Sequence, residues 1–453
     1  YQGHKVAGSP AEAAAMALNT GTNLNCGSTY PELVNSVKQG LTTEAEIDKN
    51  LKELLPTRFR LGLFDPPGTV PFDTIGTSWI RRPEHVALAL EAAEKAVVLL
   101  KNDNNTLPIS PNVNSVFVTG PTAAHIQALL ANYYGVSESL TTILEGVVAN
   151  TAPHTSVKYR QGALLAEPNH NPQDWFSGVA AESDVTIACL GISQLIEGEE
   201  GESILSDHFG DREDIGLPQN QIDFLKKIRA NAKKLVVVLT GGSAISCPEV
   251  YEMADALIFA WYPGEQGGLA VGNVLFGKAV PSGKLPVTFP MSVDDLPPYE
   301  DYAMANRTYR YAEKEPLFPF GFGLSYTSFL FSDVSLSKAE INSTESTKAV
   351  TTVTNTGKYP AEEVVQLYIT DLKASVATPH FALKGFRRVA LAPGESREVS
   401  FEINPDMLKV VNEEGEKVLE PGEFQISIGG SVPSQRSIEL GAPEYKQAEL
   451  VVK

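Results

Sequence analysis

Four glutamates fall within the six residues Glu197-Gly198-Glu199-Glu200-Gly201-Glu202, and the same stretch continues to Gly210-Asp211-Arg212. Packed carboxylates raise one another's pKa, because ionising the second costs more beside the first. A carboxylic acid that keeps its proton near neutral pH is what a general acid requires. Arg212, at the far end, can hold a neighbouring carboxylate in its charged form. The same residues also read as a solvated acidic loop or a divalent-cation site, and acidic surface loops are common. Against a cation, calcium loops alternate Asp or Asn at fixed offsets before a closing Glu, a pattern that Glu197, Glu199 and Glu202 do not follow. His208 alone does not supply a transition-metal set. Neither a metal nor a cofactor is expected.

A second candidate is Gly264-Glu265-Gln266-Gly267-Gly268, which follows an apolar run and precedes a helical stretch. Such a turn can hold a ligand at a helix N-terminus, or it can simply be a tight turn. It is neither GxGxxG nor a Walker A loop, so nucleotide binding has little support. The adjacent Trp261 and Tyr262 can stack on a sugar ring or belong to the core. The seven histidines (His4, His85, His125, His154, His170, His208 and His380) are scattered singly, and no GxSxG elbow stands out.

These loops need elements to position them. Short apolar runs at Val97–Leu100, Val116–Thr119, Val185–Leu190, Leu235–Thr240 and Ala256–Ala260 alternate with helical stretches such as Gln219–Ala232. Continuous apolar strands between helices indicate a mostly parallel sheet covered on both faces. The acidic loop leaves the carboxyl end of the run Val185–Leu190, which is where open α/β sheets bind ligands. Upstream, Ala11–Leu18 and the stretch after Thr43 read as helices. Thr43 and Glu46 have capping-box spacing, and Ile47, Leu51, Leu54 and Leu55 share a face. Two or three helices cannot bury that face alone, so they are expected to be the tail of a larger domain. Pro281 to Phe329 is dense in Pro, Gly and aromatic residues with little periodicity. After Phe329 the period becomes two, with turn signals at Asn355-Thr356-Gly357, Ala392-Pro393-Gly394 and Glu420-Pro421-Gly422, which predicts a β-sandwich.

Composition narrows the partners. The 453 residues carry a net charge of −19 and are 43% apolar, so nucleic acid and anionic membrane surfaces are repelled and neither is an expected partner. No apolar stretch approaches the ~20 residues that span a bilayer. Three cysteines, Cys26, Cys189 and Cys247, have neither zinc-site nor disulfide-framework spacing.

Six stretches, in order along nearly the whole chain, resemble glycoside hydrolase family 3. They are Leu99-Leu100-Lys101-Asn102; Glu197-Gly198-Glu199-Glu200 with Gly210-Asp211-Arg212; Trp261-Tyr262-Pro263-Gly264-Glu265-Gln266-Gly267-Gly268; Gly283-Lys284-Leu285-Pro286-Val287-Thr288-Phe289; Arg307-Thr308-Tyr309-Arg310-Tyr311; and Pro319-Phe320-Gly321-Phe322-Gly323-Leu324-Ser325-Tyr326. Leu383-Lys384-Gly385-Phe386-Arg387 is similar to the family's fibronectin-like domain. The resemblance implies a multidomain α/β plus all-β chain. Residues 1–65 would be the C-terminal helices of an incomplete TIM-like barrel, 66–88 a linker, 89–290 an α/β/α sandwich, 291–328 a connector and 329–453 a fibronectin type III-like β-sandwich.

It also implies an exo-acting, retaining β-glycosidase that removes terminal β-D-glucosyl or β-D-xylosyl residues, secreted or periplasmic. In that mechanism an aspartate on the barrel attacks the anomeric carbon, and a glutamate from the sandwich protonates the leaving oxygen and then activates water. Aligned on the family's Ile-Glu-x-Glu pattern, Ile196-Glu197-Gly198-Glu199 makes Glu199 the acid/base, with Glu200 and Glu197 as the alternatives if the register slips. The family's nucleophile lies shortly before the stretch matching Ala17–Gly27, so it is expected outside this chain. Asn23 stands where relatives often carry aspartate. The implied partners are an oligosaccharide or an aryl or alkyl β-glycoside, a barrel segment that can be a second chain, and a homodimer. A non-catalytic carbohydrate-binding or scaffolding protein is the alternative.

Overall fold

A computed structural model describes residues 5–171, 173–198, 203–206 and 212–453. The chain forms two compact units, residues 1–84 and 85–453.

The first unit is helical. Helix α1 (Pro10–Asn19) starts with Ser9, whose hydroxyl accepts from the Glu12 N–H at 3.2 Å, followed by Pro10 at the first helical position. Ala11, Ala14, Ala15 and Leu18 form its buried stripe. Helices α2 (Leu33–Lys38) and α3 (Glu44–Arg60) pack on α1 through side-chain-to-backbone bonds. The Ser36 hydroxyl donates to Ala11 O at 2.7 Å, and Asn50 Nδ2 donates to Leu18 O at 3.3 Å. Thr43 caps α3 by accepting from the Glu46 N–H, while the Glu46 carboxylate pairs with Lys49 at 2.9 Å instead of completing a capping box. Leu54 and Leu55 are half-buried, but Leu51, Phe59, Leu61, Leu63 and Phe64 are exposed within this unit.

The second unit opens with α4 (Pro83–Ala96), which begins inside the stretch read as linker because Pro83 supplies a ready helix start. Then come β1 (Val98–Asn102), β2 (Ser115–Thr119), α5 (Ile143–Asn150), β3 (Ser156–Arg160), α6 (Ser177–Glu182), β4 (Val185–Gly191) and α7 (Gln194–Glu197). After these follow α8 (Gln219–Arg229), β5 (Leu235–Thr240), α9 (Pro248–Met253), β6 (Ala256–Phe259) and α10 (Gly267–Leu275). The six strands form one sheet in the order β1-β6-β5-β4-β2-β3, parallel except for β1. Burial of both faces explains the unbroken apolar runs. Leu235, Val237 and Leu239 of β5 face Ile222, Leu225 and Ile228 of α8, whereas Val236 and Val238 face Val147 of α5 and Val271 of α10. The sequence reading missed β3: its five residues, Ser-Val-Lys-Tyr-Arg, sit at a half-exposed sheet edge and carry no apolar run.

On one face α5 and α10 cross at backbone contact. A Cβ on Gly146 would sit 1.7 Å from Gly268 O, and one on Gly272 would sit 2.3 Å from Gly146 O. The aromatic-rich stretch after α10 is irregular but anchored. Phe289 and Phe318 exchange backbone hydrogen bonds at 2.9 and 3.2 Å, and both join the sheet core together with Phe322. Within the stretch read as connector, Leu317, Phe318 and Phe322 are packed in the α/β core, whereas residues 299–306 are largely exposed.

After the short α11 (Thr308–Tyr311) come β7 (Phe329–Phe331), β8 (Ser335–Leu336), β9 (Glu340–Ile341), β10 (Thr347–Asn355), β11 (Ala361–Asp371), β12 (Ala382–Leu391) and β13 (Ser396–Ile403). The hairpin β14 (Val410–Val411) and β15 (Lys417–Val418), then β16 (Gly422–Gly429), α12 (Gln435–Glu439) and β17 (Lys446–Val452), complete the chain. One sheet runs β13-β10-β7 with β8 beside β10; the other runs β12-β11-β16-β17-β9. Alternate burial along β10 shows the period-two pattern at work. The sandwich meets the α/β layer through an ion pair, Lys284 Nζ to Glu363 Oε1 at 2.9 Å, with side chains only 11% and 3% exposed. Lys284 also donates to Gly323 O at 2.7 Å.

Two outcomes follow from this packing. Gly146→Ala is expected to lower the unfolding free energy by about 3 kcal/mol, because backbone must move. Gly178→Ala, on the exposed side of α6 with no atom within 4 Å of the added Cβ, should gain up to about 1 kcal/mol. Denaturant midpoints of the two variants test the contrast. Glu363→Gln should cost about 3 kcal/mol by stranding the Lys284 ammonium, whereas a joint Lys284→Met and Glu363→Leu exchange should recover most of that loss. Equal destabilisation by the single and double changes would show that the charge pairing is not what matters.

Candidate active site

The strand β4 ends at Gly191, whose φ of 139° and approach to β5 require glycine: a Cβ there would lie 2.1 Å from Thr240 O. The buried Gln221 of α8 clamps that strand end. Its Oε1 accepts from Gly191 N at 2.9 Å, and its Nε2 donates to Gly191 O and Leu165 O, both at 2.7 Å. The chain then turns into α7, where the buried Ser193 accepts from Leu195 N and Ile196 points into the core. This sets Glu197, the last residue of α7, at the carboxyl edge of the sheet.

The Glu197 carboxylate is 11% exposed and gathers donors from three other stretches. Its Oε1 accepts from the Gly242 N–H and from the Tyr262 hydroxyl, the latter at 2.5 Å; its Oε2 accepts from the Ser243 hydroxyl. The Arg212 guanidinium stands 3.7 Å from Oε2 and donates to Ser243 Oγ at 2.7 Å and Ala244 O at 3.1 Å. Gly242 follows β5 and Tyr262 follows β6, so the carboxyl ends of three adjacent parallel strands converge on one carboxylate. Gly242 has to lack a side chain, since a Cβ would meet the Tyr262 ring at 2.9 Å and Glu197 Oε1 at 3.0 Å.

The electrostatics follow from burial. Burial, then the Glu197 charge, pushes the Tyr262 hydroxyl well above its ordinary value, which keeps it a proton-bearing donor. Burial lowers the Arg212 guanidinium, opposed chiefly by Glu197. Arg212 Nη1 is buried and makes no hydrogen bond among the described residues. A carboxylate that accepts from three donors and faces a guanidinium is held firmly in one place.

Glu199, Glu200, Gly201, Glu202, His208, Gly210 and Asp211 lie outside the described residues. The residues that flank the acidic segment are close together: a Cβ on Gly198 would lie 2.7 Å from the Oγ of the fully buried Ser203. Leu205 N donates to Leu195 O at 2.8 Å, which ties the segment's return to α7. Among the described residues, no three His, Cys, Asp or Glu side chains gather in a group that could hold a metal ion.

Trp261 is fixed at the edge of the core. It adopts a φ of 60°, packs edge-on against Phe259 at 4.5 Å and donates from Nε1 to Ala96 O at 3.1 Å. Tyr262 holds Glu197. The Gly264–Gly268 turn is a tight turn: Gly267 N donates to Gly264 O, and Gly268 N donates to Thr141 O, each at 2.9 Å. All three cysteines are free; Cys189 and Cys247 are buried in the sheet core, where burial raises their thiols. The sequence reading missed Gly242, Ser243 and Gln221. A glycine-rich turn at the end of the run Leu235–Thr240 was the available signal for the first two; a buried glutamine inside an amphipathic helix gives none.

Comparison with known proteins gives the family. Residues 97–326 match the glycosyl hydrolase family 3 C-terminal domain, and residues 363–432 match a fibronectin type III-like domain. A β-xylosidase of Formosa agariphila is 33% identical over 450 residues, which cover 94% of this chain and 61% of that protein. A periplasmic β-glucosidase of Salmonella typhimurium is 33% identical over 469 residues, covering 94% of this chain and 60% of its own length. The crystal structure of a β-glucosidase from Erythrobacter marinus superposes with a TM-score of 0.84 at 32% identity, covering all of this chain and 62% of its own. The chain thus spans about three-fifths of the length of these relatives. With its α/β layer and β-sandwich matched in order, it belongs to glycosyl hydrolase family 3, as a C-terminal portion carrying that domain and a fibronectin type III-like domain.

Proposed function

We propose that this chain supplies the acid/base half of the active site in an exo-acting, retaining β-glycosidase that removes terminal β-D-glucosyl or β-D-xylosyl residues. The observation that carries this reading is the anchored Glu197 carboxylate at the carboxyl edge of the sheet. It holds the start of the acidic segment in place two residues before Glu199. Glu199 is then the proton donor: it protonates the glycosidic oxygen as the bond to the sugar breaks, and afterwards takes a proton from water. Glu197 is a positioning residue, and Glu200 remains the alternative acid if the register differs by one. Buried Arg212 Nη1 offers a donor without a partner among the described residues, which suits a substrate hydroxyl because a buried donor left unpaired costs about 1–3 kcal/mol.

The nucleophilic aspartate is supplied from the two-fifths of the relatives' length that this chain does not cover, as part of a TIM-like barrel. The helices α1–α3 are the end of that barrel, with their exposed apolar side chains turned to its remainder. The substrate is a neutral oligosaccharide or aryl β-glycoside, in keeping with an acidic chain. A secreted or periplasmic location fits the same reading.

Substitution separates acid from anchor. In the catalytically competent protein containing this chain, Glu199→Gln should slow hydrolysis of alkyl or oligosaccharide substrates by about 10²–10⁴-fold. Substrates with a dinitrophenyl leaving group, which need no proton, should lose far less in the first step. Turnover of an alkyl glycoside close to the unsubstituted rate would remove Glu199 from the mechanism.

Tyr262→Phe should lower kcat for alkyl or oligosaccharide substrates about 10- to 150-fold, in line with the roughly 1.5–3 kcal/mol of a hydrogen bond to a charged acceptor. Because the loosened anchor misplaces the proton donor, dinitrophenyl substrates should lose less. An equal loss for both leaving groups would show that Tyr262 does not act through the placement of the acid.

A further inference from the structure

The β-sandwich holds a cationic cavity that the glycosidase reading leaves unused. Strands β11 and β12 pair regularly except at one point: Leu367 faces Gly385 while Tyr368 faces Leu383, so Lys384 is the extra residue of a β-bulge. Bulges re-aim side chains, and they concentrate where a side chain has a task. Lys384 lines a cavity of about 180 Å³ together with Arg310 and Lys409. Its apolar wall is formed by Ile369, Leu408, Val410 and Phe424.

Lys384 is half-buried and has no acidic partner among the described residues. The charges that act on it are Arg310 and Lys417, both positive, and together with burial they lower its ammonium below the ordinary value. The Arg310 guanidinium lies over the Tyr311 ring at 5.6 Å. Lys409 is paired with Asp406 at 2.6 Å. Asp371 shares the cavity wall, but its Oδ1 accepts from the Lys373 N–H at 3.0 Å and it forms no ion pair with Lys384. Two cations held near each other at a partly dry site cost free energy unless an anion joins them. In a chain of net charge −19, so local a positive site has no explanation in the overall composition.

We propose that this cavity binds a small organic carboxylate, its charged group between Lys384 and Arg310 and its apolar body on the Ile369–Phe424 wall. The site lies between α11 and the fibronectin type III-like domain and does not depend on which glutamate carries the acid/base role.

Sodium benzoate tests it, titrated into the 453-residue chain and followed calorimetrically. Benzyl alcohol serves as the neutral molecule of the same shape, and inorganic phosphate as an anion without an apolar body. Benzoate should bind at least about tenfold more tightly than either, and Lys384→Met should weaken it about tenfold. Lys384→Arg, which keeps the charge and guards against a folding defect, should stay within about threefold of the unsubstituted chain. Absence of benzoate binding, equal binding of benzyl alcohol, equal binding of phosphate, or unchanged affinity in Lys384→Met would each overturn the assignment.

Discussion

Strands β4, β5 and β6 are buried on both faces, and a sheet covered in this way can present polar chemistry only at its ends. All other features of the α/β layer answer to that restriction. The helices must lie on both faces, so the crossovers are long and the loops that leave the carboxyl edge are free to differ. Glycine appears where backbone meets backbone, at Gly191 against β5 and at Gly146 against α10. The loops after β4, β5 and β6 then have one direction in which to meet, and Glu197 is where they do.

The hub chemistry is economical. A single carboxylate takes a backbone N–H, a serine hydroxyl, a phenol and the field of a guanidinium. Removing any one donor leaves the others in place, but removing the carboxylate takes the acceptor from the Gly242 N–H and from the Tyr262 and Ser243 hydroxyls at once. Charge-assisted hydrogen bonds of this kind also fix geometry more tightly than neutral ones, so the end of α7 is held firmly where the acidic segment begins.

Legibility in the sequence tracked burial. The runs at β4 and β5 were readable because both faces are apolar and the residues are consecutive. The polar edge strand β3 was invisible for the same reason in reverse. The β-sandwich was readable through its alternation and its three Gly-containing turns. The stretch after α10 showed no period, and its fixing depends on contacts between residues distant in sequence, Phe289 with Phe318 and Leu285 with Phe322. The acidic loop was legible as chemistry but not as geometry: the spacing Glu197-Gly198-Glu199 does not say which carboxylate is engaged. Tyr262 and Trp261 were indistinguishable by type; the positive φ at Trp261 sends adjacent side chains to different tasks, one to the core and one to Glu197.

The outer edge of β1 is covered by a residue from far downstream, since Leu324 N donates to Leu99 O at 2.8 Å and the two form an isolated antiparallel bridge. On a ribosome these partners emerge well over two hundred residues apart, which at about 5–20 residues per second is a delay of roughly 10–45 s. β1 enters the sheet only through β6 (Ala256–Phe259), and from then until Leu324 is made the nascent sheet presents an uncovered strand edge, the kind of surface that seeds mispairing with neighbouring chains. High contact order of this sort slows folding more than it weakens the finished structure. The native contact that covers this edge becomes available only once Leu324 has been made.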